Sequence, residues 1–166
     1  EYETERSSIE DEEGLSTVLE GSSDSIYTAI PVLWRAYEET GDPRFRDIAV
    51  SHANRHLKWQ IQADGRTWNR TVFDPETGEP ERHYNKHAHS DETCWARGHG
   101  WIIAGFSAAY SATHAERYLE VLERTVDYYV DNSPSDLVPY WDFEDPDIPD
   151  APRDTSAAGL VAYGLT

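Results

Sequence analysis

The residues best suited to chemistry lie together in one short motif, which reads Trp95-Ala96-Arg97-Gly98-His99-Gly100-Trp101. Two tryptophans offer flat apolar faces, and the arginine between them offers a planar fork of hydrogen-bond donors. The two glycines allow another backbone or a ligand to come close. Stacking faces beside a fixed cation suit a sugar ring that carries a carboxylate. The same residues could equally serve a hydrophobic core and a structural ion pair, so this motif alone leaves both interpretations open.

Apolar helices rich in small residues are predicted at three points of the chain, and a charged residue stands at the start of each. The first helix begins at Ser25 after Asp24, the second runs over about 98–111 behind Arg97, and the third follows Asp154. An amphipathic helix follows each of the first two, so the pattern repeats. Repeated pairs of a buried and a half-buried helix are typical of stacked helical hairpins. The predicted fold class is all-α.

The amphipathic partners are predicted over 43–59 and 115–131. Gly41 ends the first apolar helix, and the Asp-Pro pair behind it caps and begins the next one. Between the two hairpins, 67–73 has the composition of a strand and 74–78 has that of a turn. This segment interrupts the helical pattern without changing the fold class.

A toroid would bring the charged residues at the helix starts together. If the hairpins curve into a ring, the N-terminal ends of all inner helices share one rim, and Asp24, Arg97 and Asp154 converge on one pocket. Both aspartates also have a simpler role available, because aspartate is a favoured N-cap of helices. The sequence therefore predicts a polar site at this rim and leaves the capping role open for each aspartate.

Two regions are predicted along the chain. Residues 1–23 are acidic and rich in serine with no apolar period, so we expect an acidic arm or loop there. Residues 24–166 are expected to form part of one α/α catalytic domain. The sequence ends inside the third apolar helix, and two and a half hairpins do not close a ring. We therefore expect the toroid to be incomplete in this chain.

The charge of the chain argues against several partners. With 32 acidic and 14 basic residues, the net charge of −18 repels nucleic acids and anionic membrane surfaces. Only Lys58 and Lys86 are lysines, and an acidic excess with scarce lysine favours a protein of a salt-rich cytoplasm over one with an ordinary acidic surface. No membrane-spanning segment or signal peptide is visible, which also predicts a cytoplasmic location. The single cysteine, Cys94, excludes an internal disulfide and is expected to be a small buried residue.

Several motifs, in order along 24–166, are similar to those of known families. The motif over 95–101 resembles the W-A-R-G-x-x-W signature of unsaturated glucuronyl hydrolases, glycoside hydrolase family 88. The segments that also match this family are Phe73-Asp74-Pro75-Glu76-Thr77-Gly78, Val138-Pro139-Tyr140-Trp141-Asp142-Phe143, Ile148-Pro149-Asp150 and Pro152-Arg153-Asp154-Thr155-Ser156-Ala157-Ala158. The first helix, with Asp24, and the Arg-Gly-x-Gly-Trp spacing resemble the related unsaturated rhamnogalacturonyl hydrolases of family 105. The resemblance leaves these two families open.

The resemblance implies a six-hairpin α/α toroid and an unusual hydrolysis that uses no metal and no cofactor. Enzymes of this kind hydrate the C4=C5 double bond of a 4,5-unsaturated uronic acid at the end of a lyase-generated oligosaccharide. An aspartic acid protonates C4 and activates the water that adds at C5, and the hemiketal then opens and releases the sugar. Asp24 falls on this catalytic position. A second family aspartate lies on an earlier inner helix, and no residue of this sequence matches it.

The remaining site residues are carried over position by position. Arg97 matches a substrate-binding arginine, and Trp95 and Trp101 match aromatic residues that line the substrate site. His87 aligns with a pocket glutamine and Asn69 with a pocket histidine, so these two depart from the glucuronyl hydrolase pattern. A further substrate-binding candidate, inside the motif itself, is His99. For Asn69, a polar residue at a strand end is an equal alternative.

Three competing interpretations remain open from the residues. His83, His87 and His89 could hold a metal ion, although solvated loop histidines are the simpler explanation. A carbohydrate-binding domain without catalysis would use Trp95, Arg97 and Trp101 of the motif together with Trp141. A sugar epimerase on the same fold would use histidines as acid and base, which would make His87 and His99 more important than Asp24.

Overall fold

We describe the protein from a computed structural model that covers the backbone of residues 6–11 and 14–166 and the side chains from residue 20 onwards. Five helices form most of it: α1 (Asp24–Thr40), α2 (Pro43–Trp59), α3 (Ala96–Thr113), α4 (Glu116–Asn132) and α5 (Thr155–Gly164). Four strands complete the described part: β1 (Arg6–Asp11), β2 (Gly14–Ser22), β3 (Arg70–Phe73) and β4 (Pro80–Tyr84).

The predicted helical hairpins are confirmed. Gly41, with φ of 69°, ends α1, and the Asp42 side chain accepts a hydrogen bond from the Arg44 backbone N–H at the start of α2. The second hairpin turns at His114, which also adopts a left-handed conformation with φ of 51°. α5 begins a third repeat, and its first residues follow Asp154 as predicted.

The apolar helix α3 is the centre of the packing, with α1, α4 and α5 around it. Ile26 and Ile30 of α1 lie against Ile102 and Phe106 of α3, and all four are at most 2 % exposed. Gly105 permits this close approach, because a Cβ atom at its position would lie 2.3 Å from Ile26 Cγ2. The outer helix α4 buries one face only, as its amphipathic pattern predicts; its buried residues are Tyr118, Val121, Leu122, Thr125 and Tyr129.

The region before α1 differs from its prediction. The sequence predicts an acidic arm or loop over 1–23, but β1 and β2 pair there as antiparallel strands, and β2 continues the pairing onto β3. The four strands have the order β1-β2-β3-β4. The prediction failed because alternating serines and charged residues gave no apolar period. Residues 1–5 and 12–13 lie outside the described part.

Two further boundaries bear on the site. α1 includes Asp24 in its first turn, so the helix begins one residue before the predicted start and Ser23 takes the N-cap position. The strand predicted over 67–73 is present as the shorter β3, paired with β4 through the turn at Gly78. Within the described residues, no helix is both long enough and apolar enough to cross a membrane.

Candidate active site

The N-terminal ends of α1, α3 and α5 meet at one rim, as the sequence predicts. A Cβ atom placed on Gly98, in the first turn of α3, would lie 3.3 Å from Ser23 Oγ at the start of α1. On the other side of α3, Arg97 Nη2 lies 3.0 Å from Asp154 Oδ2. The absence of a side chain at Gly98 therefore brings α1 close to the motif that carries the arginine and the tryptophans.

Asp24 is half-buried in the first turn of α1, and two serine hydroxyls fix its carboxylate. Ser22 Oγ donates to Asp24 Oδ1 at 3.0 Å, and Ser23 Oγ donates to the same oxygen at 3.2 Å. Both hydroxyls donate to Oδ1, so they define the orientation of the Asp24 carboxylate, and neither of these two hydrogen bonds involves Oδ2. Such a carboxylate has the position and partial exposure that a general acid and base needs.

Ser23 is itself held from behind by Asn69. The Asn69 side-chain Nδ2 donates to Ser23 Oγ at 2.9 Å, and the Ser23 backbone N–H donates to the Asn69 carbonyl at 2.9 Å. Asn85 Oδ1 accepts a hydrogen bond of 2.6 Å from the Asn69 backbone N–H. Asn69 is only 1 % exposed and Ser23 is fully buried. The structure thus places the predicted site residue Asn69 behind Asp24 and away from solvent.

The turn that leads into α1 is also held by His56 of α2 and by Gln60, which caps the C-terminal end of that helix. His56 Nε2 lies 3.1 Å from the Ser22 carbonyl oxygen, and the Gln60 amide donates to the Gly21 carbonyl at 3.2 Å. Burial lowers the pKa of His56 below its ordinary value, because the interior disfavours its charged form. A buried neutral imidazole therefore supports the chain two residues before the candidate acid.

Arg97 and Asp154 form the second half of the rim. Arg97 donates to Asp154 Oδ2 through Nε at 3.2 Å and through Nη2 at 3.0 Å. The Arg97 side chain is 46 % exposed, so part of its guanidinium is accessible to solvent beside this ion pair. Asp154 also accepts from the Ala157 backbone N–H at 2.9 Å, so it is the N-cap of α5. The capping alternative for Asp154 is confirmed, together with its place at the rim.

Trp95 joins two other predicted site residues. The Arg97 guanidinium lies over its ring at 5.6 Å, and the His87 ring lies 4.8 Å from it. The pKa of His87 lies below its ordinary value, first because of partial burial and then because of nearby cations that include Arg70 and Lys86. At neutral pH the imidazole is therefore an uncharged hydrogen-bonding group beside the tryptophan.

Trp101 faces α1 one turn beyond Arg97. Its ring lies 5.1 Å from Tyr27, which in turn makes an edge contact of 5.7 Å with Tyr163 of α5. A hydrogen bond with Tyr163 and partial burial raise the pKa of Tyr27 above its ordinary value, so its phenol stays protonated at neutral pH. Tyr27 follows Asp24 by three residues and shares its face of the helix. Tyr27 and Trp101 thus form an aromatic pair near the rim, and Tyr163 extends this aromatic surface towards the C-terminal end of α5.

His99 does not belong to the site, which corrects the prediction for this residue. It is fully buried, its Nδ1 lies 3.2 Å from Thr67 Oγ1, and its Nε2 donates to the Thr125 carbonyl at 2.8 Å. Burial lowers its pKa to about 4, so the ring is neutral and serves the packing between α3 and α4. The epimerase interpretation loses one of its two histidines. The prediction was wrong because Arg97 and His99 are two residues apart in a helix, and their side chains therefore point to opposite sides of α3.

Cys94 is a buried core residue, as expected. Burial raises the pKa of its thiol to about 12, so it is no nucleophile. The metal interpretation gains no support either. His83 hydrogen-bonds to Thr71 and stacks on Trp68, whereas the His87 ring makes a tilted contact with Trp95. Across the described residues, no three histidine, cysteine or acidic side chains are placed to share an ion.

Comparison with known proteins decides the family. Residues 23–166 match the family model of Glycosyl Hydrolase Family 88. The chain belongs to this family. The choice left open by the sequence between families 88 and 105 is thereby settled for family 88.

Curated and solved relatives of family 88 agree with this assignment. An unsaturated glucuronyl hydrolase of Formosa agariphila is 38 % identical over 138 residues, which are 82 % of this chain and 34 % of the relative. An unsaturated chondroitin disaccharide hydrolase of Streptococcus pneumoniae is 35 % identical over 136 residues, 82 % of this chain and 34 % of the relative. The crystal structure of an unsaturated glucuronyl hydrolase from Bacillus sp. GL1, described as responsible for glycosaminoglycan degradation, shares 33 % identity with a TM-score of 0.83, covering 88 % of this chain and 38 % of that one.

The chain spans about a third of the length of these curated relatives. Its two hairpins and α5 are therefore part of the α/α toroid of family 88, and the described sheet is a minor addition to it.

Sequence reasoning missed the residues that surround Asp24. Ser22 and Ser23 immediately precede Asp24, and two hydroxyls next to a carboxylate at a helix start were a readable signal. The position of Tyr27 could also have been predicted, because it follows Asp24 by three residues on the same helix. Asn85 and His56 were not, because their contacts depend on how the sheet and α2 pack.

Proposed function

We propose that this chain carries the acid–base aspartate and part of the substrate-binding rim of an enzyme that hydrates unsaturated uronic acids. The observation that supports this most is the arrangement of Asp24. Its Oδ1 is held by two serine hydroxyls at the same rim where Arg97 and Trp101 project from α3. A carboxylate, a cation and aromatic faces at one rim match the three parts of the substrate: a reactive double bond, a carboxylate and a sugar ring.

The reaction proceeds without an attack on the glycosidic carbon. Asp24, in its protonated form, donates a proton to C4 of the double bond. A water molecule, whose proton is taken by the same carboxylate, adds its oxygen to C5 and restores the protonated acid. The resulting hemiketal opens to a ketone at C5, and the hemiacetal left at C1 releases the next sugar with the glycosidic oxygen. One water is consumed and no redox partner is needed.

Arg97 and the aromatic residues bind and orient the sugar. The exposed part of the Arg97 guanidinium pairs with the uronate carboxylate, because guanidinium and carboxylate geometries are complementary. Trp101 and Trp95 offer stacking faces to the rings, and the neutral His87 supplies a hydrogen bond. These residue roles follow the family resemblance and the geometry of the rim.

The proposed substrates are disaccharides and short oligosaccharides that polysaccharide lyases leave with a 4,5-unsaturated uronic acid at one end. The names of the relatives, which mention glucuronyl groups and chondroitin disaccharides, support a glycosaminoglycan source. A cytoplasmic location and the exclusion of nucleic acid and membrane partners remain predictions from the charge.

Product analysis in heavy water tests the proposed reaction. The chain is incubated with an unsaturated chondroitin disaccharide in D2O and the products are analysed by NMR at early times. Hydration predicts loss of the vinyl C4 proton and one deuterium at C4 at the same rate as the second sugar appears. Release of a sugar that still carries the double bond would show direct cleavage of the glycosidic bond and would contradict the proposal.

A further inference from the structure

We propose that Asn69 positions the Asp24 carboxylate through Ser23, as a buried hydrogen-bond relay that never touches the substrate. The inference rests on the proposed function only for its catalytic consequence. The relay is defined as Asn69, Ser23 and Asp24, joined by the contacts of 2.9 Å from Asn69 Nδ2 to Ser23 Oγ and 3.2 Å from Ser23 Oγ to Asp24 Oδ1.

The direction of the relay follows from the chemistry of its members. The Asn69 Nδ2 group can only donate, so Ser23 Oγ accepts from it. The single hydroxyl proton of Ser23 is then directed at Asp24 Oδ1. An acceptor in place of the amide nitrogen at position 69 would compete for that proton and turn the hydroxyl away from the carboxylate, whereas an apolar side chain would leave the hydroxyl without the contact that orients it. Asn69 thus decides which way the serine points.

The relay is rigid because the backbone holds both of its buried members. The Ser23 N–H donates to the Asn69 carbonyl, and Asn85 fixes the Asn69 N–H. Gly98 leaves just enough space for the serine, since an added Cβ would lie 3.3 Å from its hydroxyl oxygen. Neither Ser23 nor Asn69 has freedom to find other partners.

Burial separates this role from a substrate contact. Asn69 is 1 % exposed, so its side chain offers almost no surface to a substrate. Its Oδ1 has no hydrogen-bond partner among the described residues. The amide therefore makes its side-chain hydrogen bond through its nitrogen, to Ser23.

The first test needs no turnover. The ¹³C resonance of the Asp24 carboxyl carbon is assigned by its loss in Asp24→Asn and followed in the 166-residue chain by NMR. Asn69→Asp keeps the shape and removes the donor, and Ser23→Ala removes the hydroxyl. We expect each to move the Asp24 resonance, whereas Asn132→Asp, which adds the same charge at an exposed position, leaves it in place. An unmoved resonance in folded Asn69→Asp and Ser23→Ala would overturn the relay.

A mutant cycle tests whether Asn69 acts through Ser23. Asn69→Ala, Ser23→Ala and the double variant are compared by the same resonance and by the kinetics of the unsaturated disaccharide. The relay predicts that the double variant equals Ser23→Ala, and that each single variant lowers kcat at least fivefold with KM changed less than twofold. Independent, additive changes in the resonance would contradict it.

The two readouts separate this inference from the proposed function. If the Asp24 resonance moves as expected but no substrate is turned over by the wild type, the relay stands and the proposed function fails. If substrate is turned over and Asp24→Asn is inactive, while the Asn69 variants leave both the resonance and kcat unchanged, the proposed function stands and the relay is wrong.

Discussion

Arg97 and Asp154 join the first turn of α3 to the residue that caps α5, with Arg97 Nη2 3.0 Å from Asp154 Oδ2. Burial alone would raise the pKa of Asp154, but hydrogen bonds from Ser156, Ala157 and Arg97 outweigh it and leave the pKa below its ordinary value. The carboxylate is therefore ionised at neutral pH and holds two inner helices of the toroid in register.

Removing this cap should destabilise the chain in a pH-dependent way. Asp154→Ala should lower the free energy of unfolding by about 1–2 kcal/mol at pH 7, since the helix N-cap and its ion pair are both lost. Because the folded-state pKa is below the unfolded value of 3.8, the difference from wild type should be constant above about pH 5 and shrink as the pH falls through the folded pKa. Urea titrations at pH 7 and pH 3 measure this.

Arg97→Ala is the matched control for the cap. It removes the half-exposed partner and leaves the hydrogen bond from Ala157 to Asp154 intact, so its cost should be below about 1 kcal/mol. A larger loss for Arg97→Ala than for Asp154→Ala would show that the ion pair, and not the cap, holds α5.

Substitution of two different glycines by alanine should change the stability of the chain in opposite directions. Gly105→Ala should lower the free energy of unfolding by about 1–3 kcal/mol, because its methyl group would lie 2.3 Å from Ile26 Cγ2 in the α1–α3 contact. Gly159→Ala, in α5, meets nothing within 4 Å and should raise stability by about 0.5–1 kcal/mol through helix propensity. Thermal unfolding of both variants measures these changes. Equal changes in stability for the two variants would contradict the close packing of α1 against α3 at Gly105.

The buried histidine of the motif should make stability depend on pH. The pKa of His99 is about 4 in the folded chain against 6.5 as its ordinary value, so the unfolded chain binds a proton that the folded chain does not between these limits. Its contribution is complete above pH 6.5 and is lost as the pH falls towards 4, by up to about 3 kcal/mol. His99→Gln should reduce the fall in stability between pH 7 and pH 4.

His89→Gln is the control for this prediction, because His89 is an exposed loop residue. We expect this variant to follow the wild-type stability curve. A His99→Gln curve parallel to wild type would show that the buried ring takes up its proton in the folded state as well.

The helical hairpins could be read from the sequence because their signals are local. The 3.6-residue period, the glycine stop at Gly41 and the cap at Asp154 act over a few residues, and the observed helices follow them. Arg97 could be placed at the rim for the same reason, since it stands at the start of an apolar helix.

The rest of the site depends on contacts between distant segments. Asn69 and Ser23 are 46 residues apart and meet only because β2 pairs with β3. His99 was assigned to the site by its motif, but the position of α4 decides that its ring is buried against Thr125. The β1 and β2 strands gave no apolar period, so their pairing was invisible in the sequence.

The acidic surface should make the chain more stable in salt. Its net charge of −18 creates repulsion that is screened as the Debye length falls from about 10 Å at 0.1 M to about 3 Å at 1 M. The midpoint of thermal unfolding should therefore rise between 0.1 M and 1 M KCl. A variant with exposed Glu76, Glu81 and Glu92 changed to glutamine should gain less from the same salt. A midpoint that falls with KCl would contradict the prediction of salt adaptation.

The central claim is that Asp24 protonates the double bond of an unsaturated uronic acid. The most direct measurement is the loss of ultraviolet absorbance of that double bond, with a panel of unsaturated disaccharides in high salt, for wild type and Asp24→Asn side by side. We predict a decrease with the wild type for at least one member of the panel and a rate at least a hundredfold lower for Asp24→Asn. Equal rates for the two proteins, or an unchanged absorbance with the wild type across the panel, would contradict the claim.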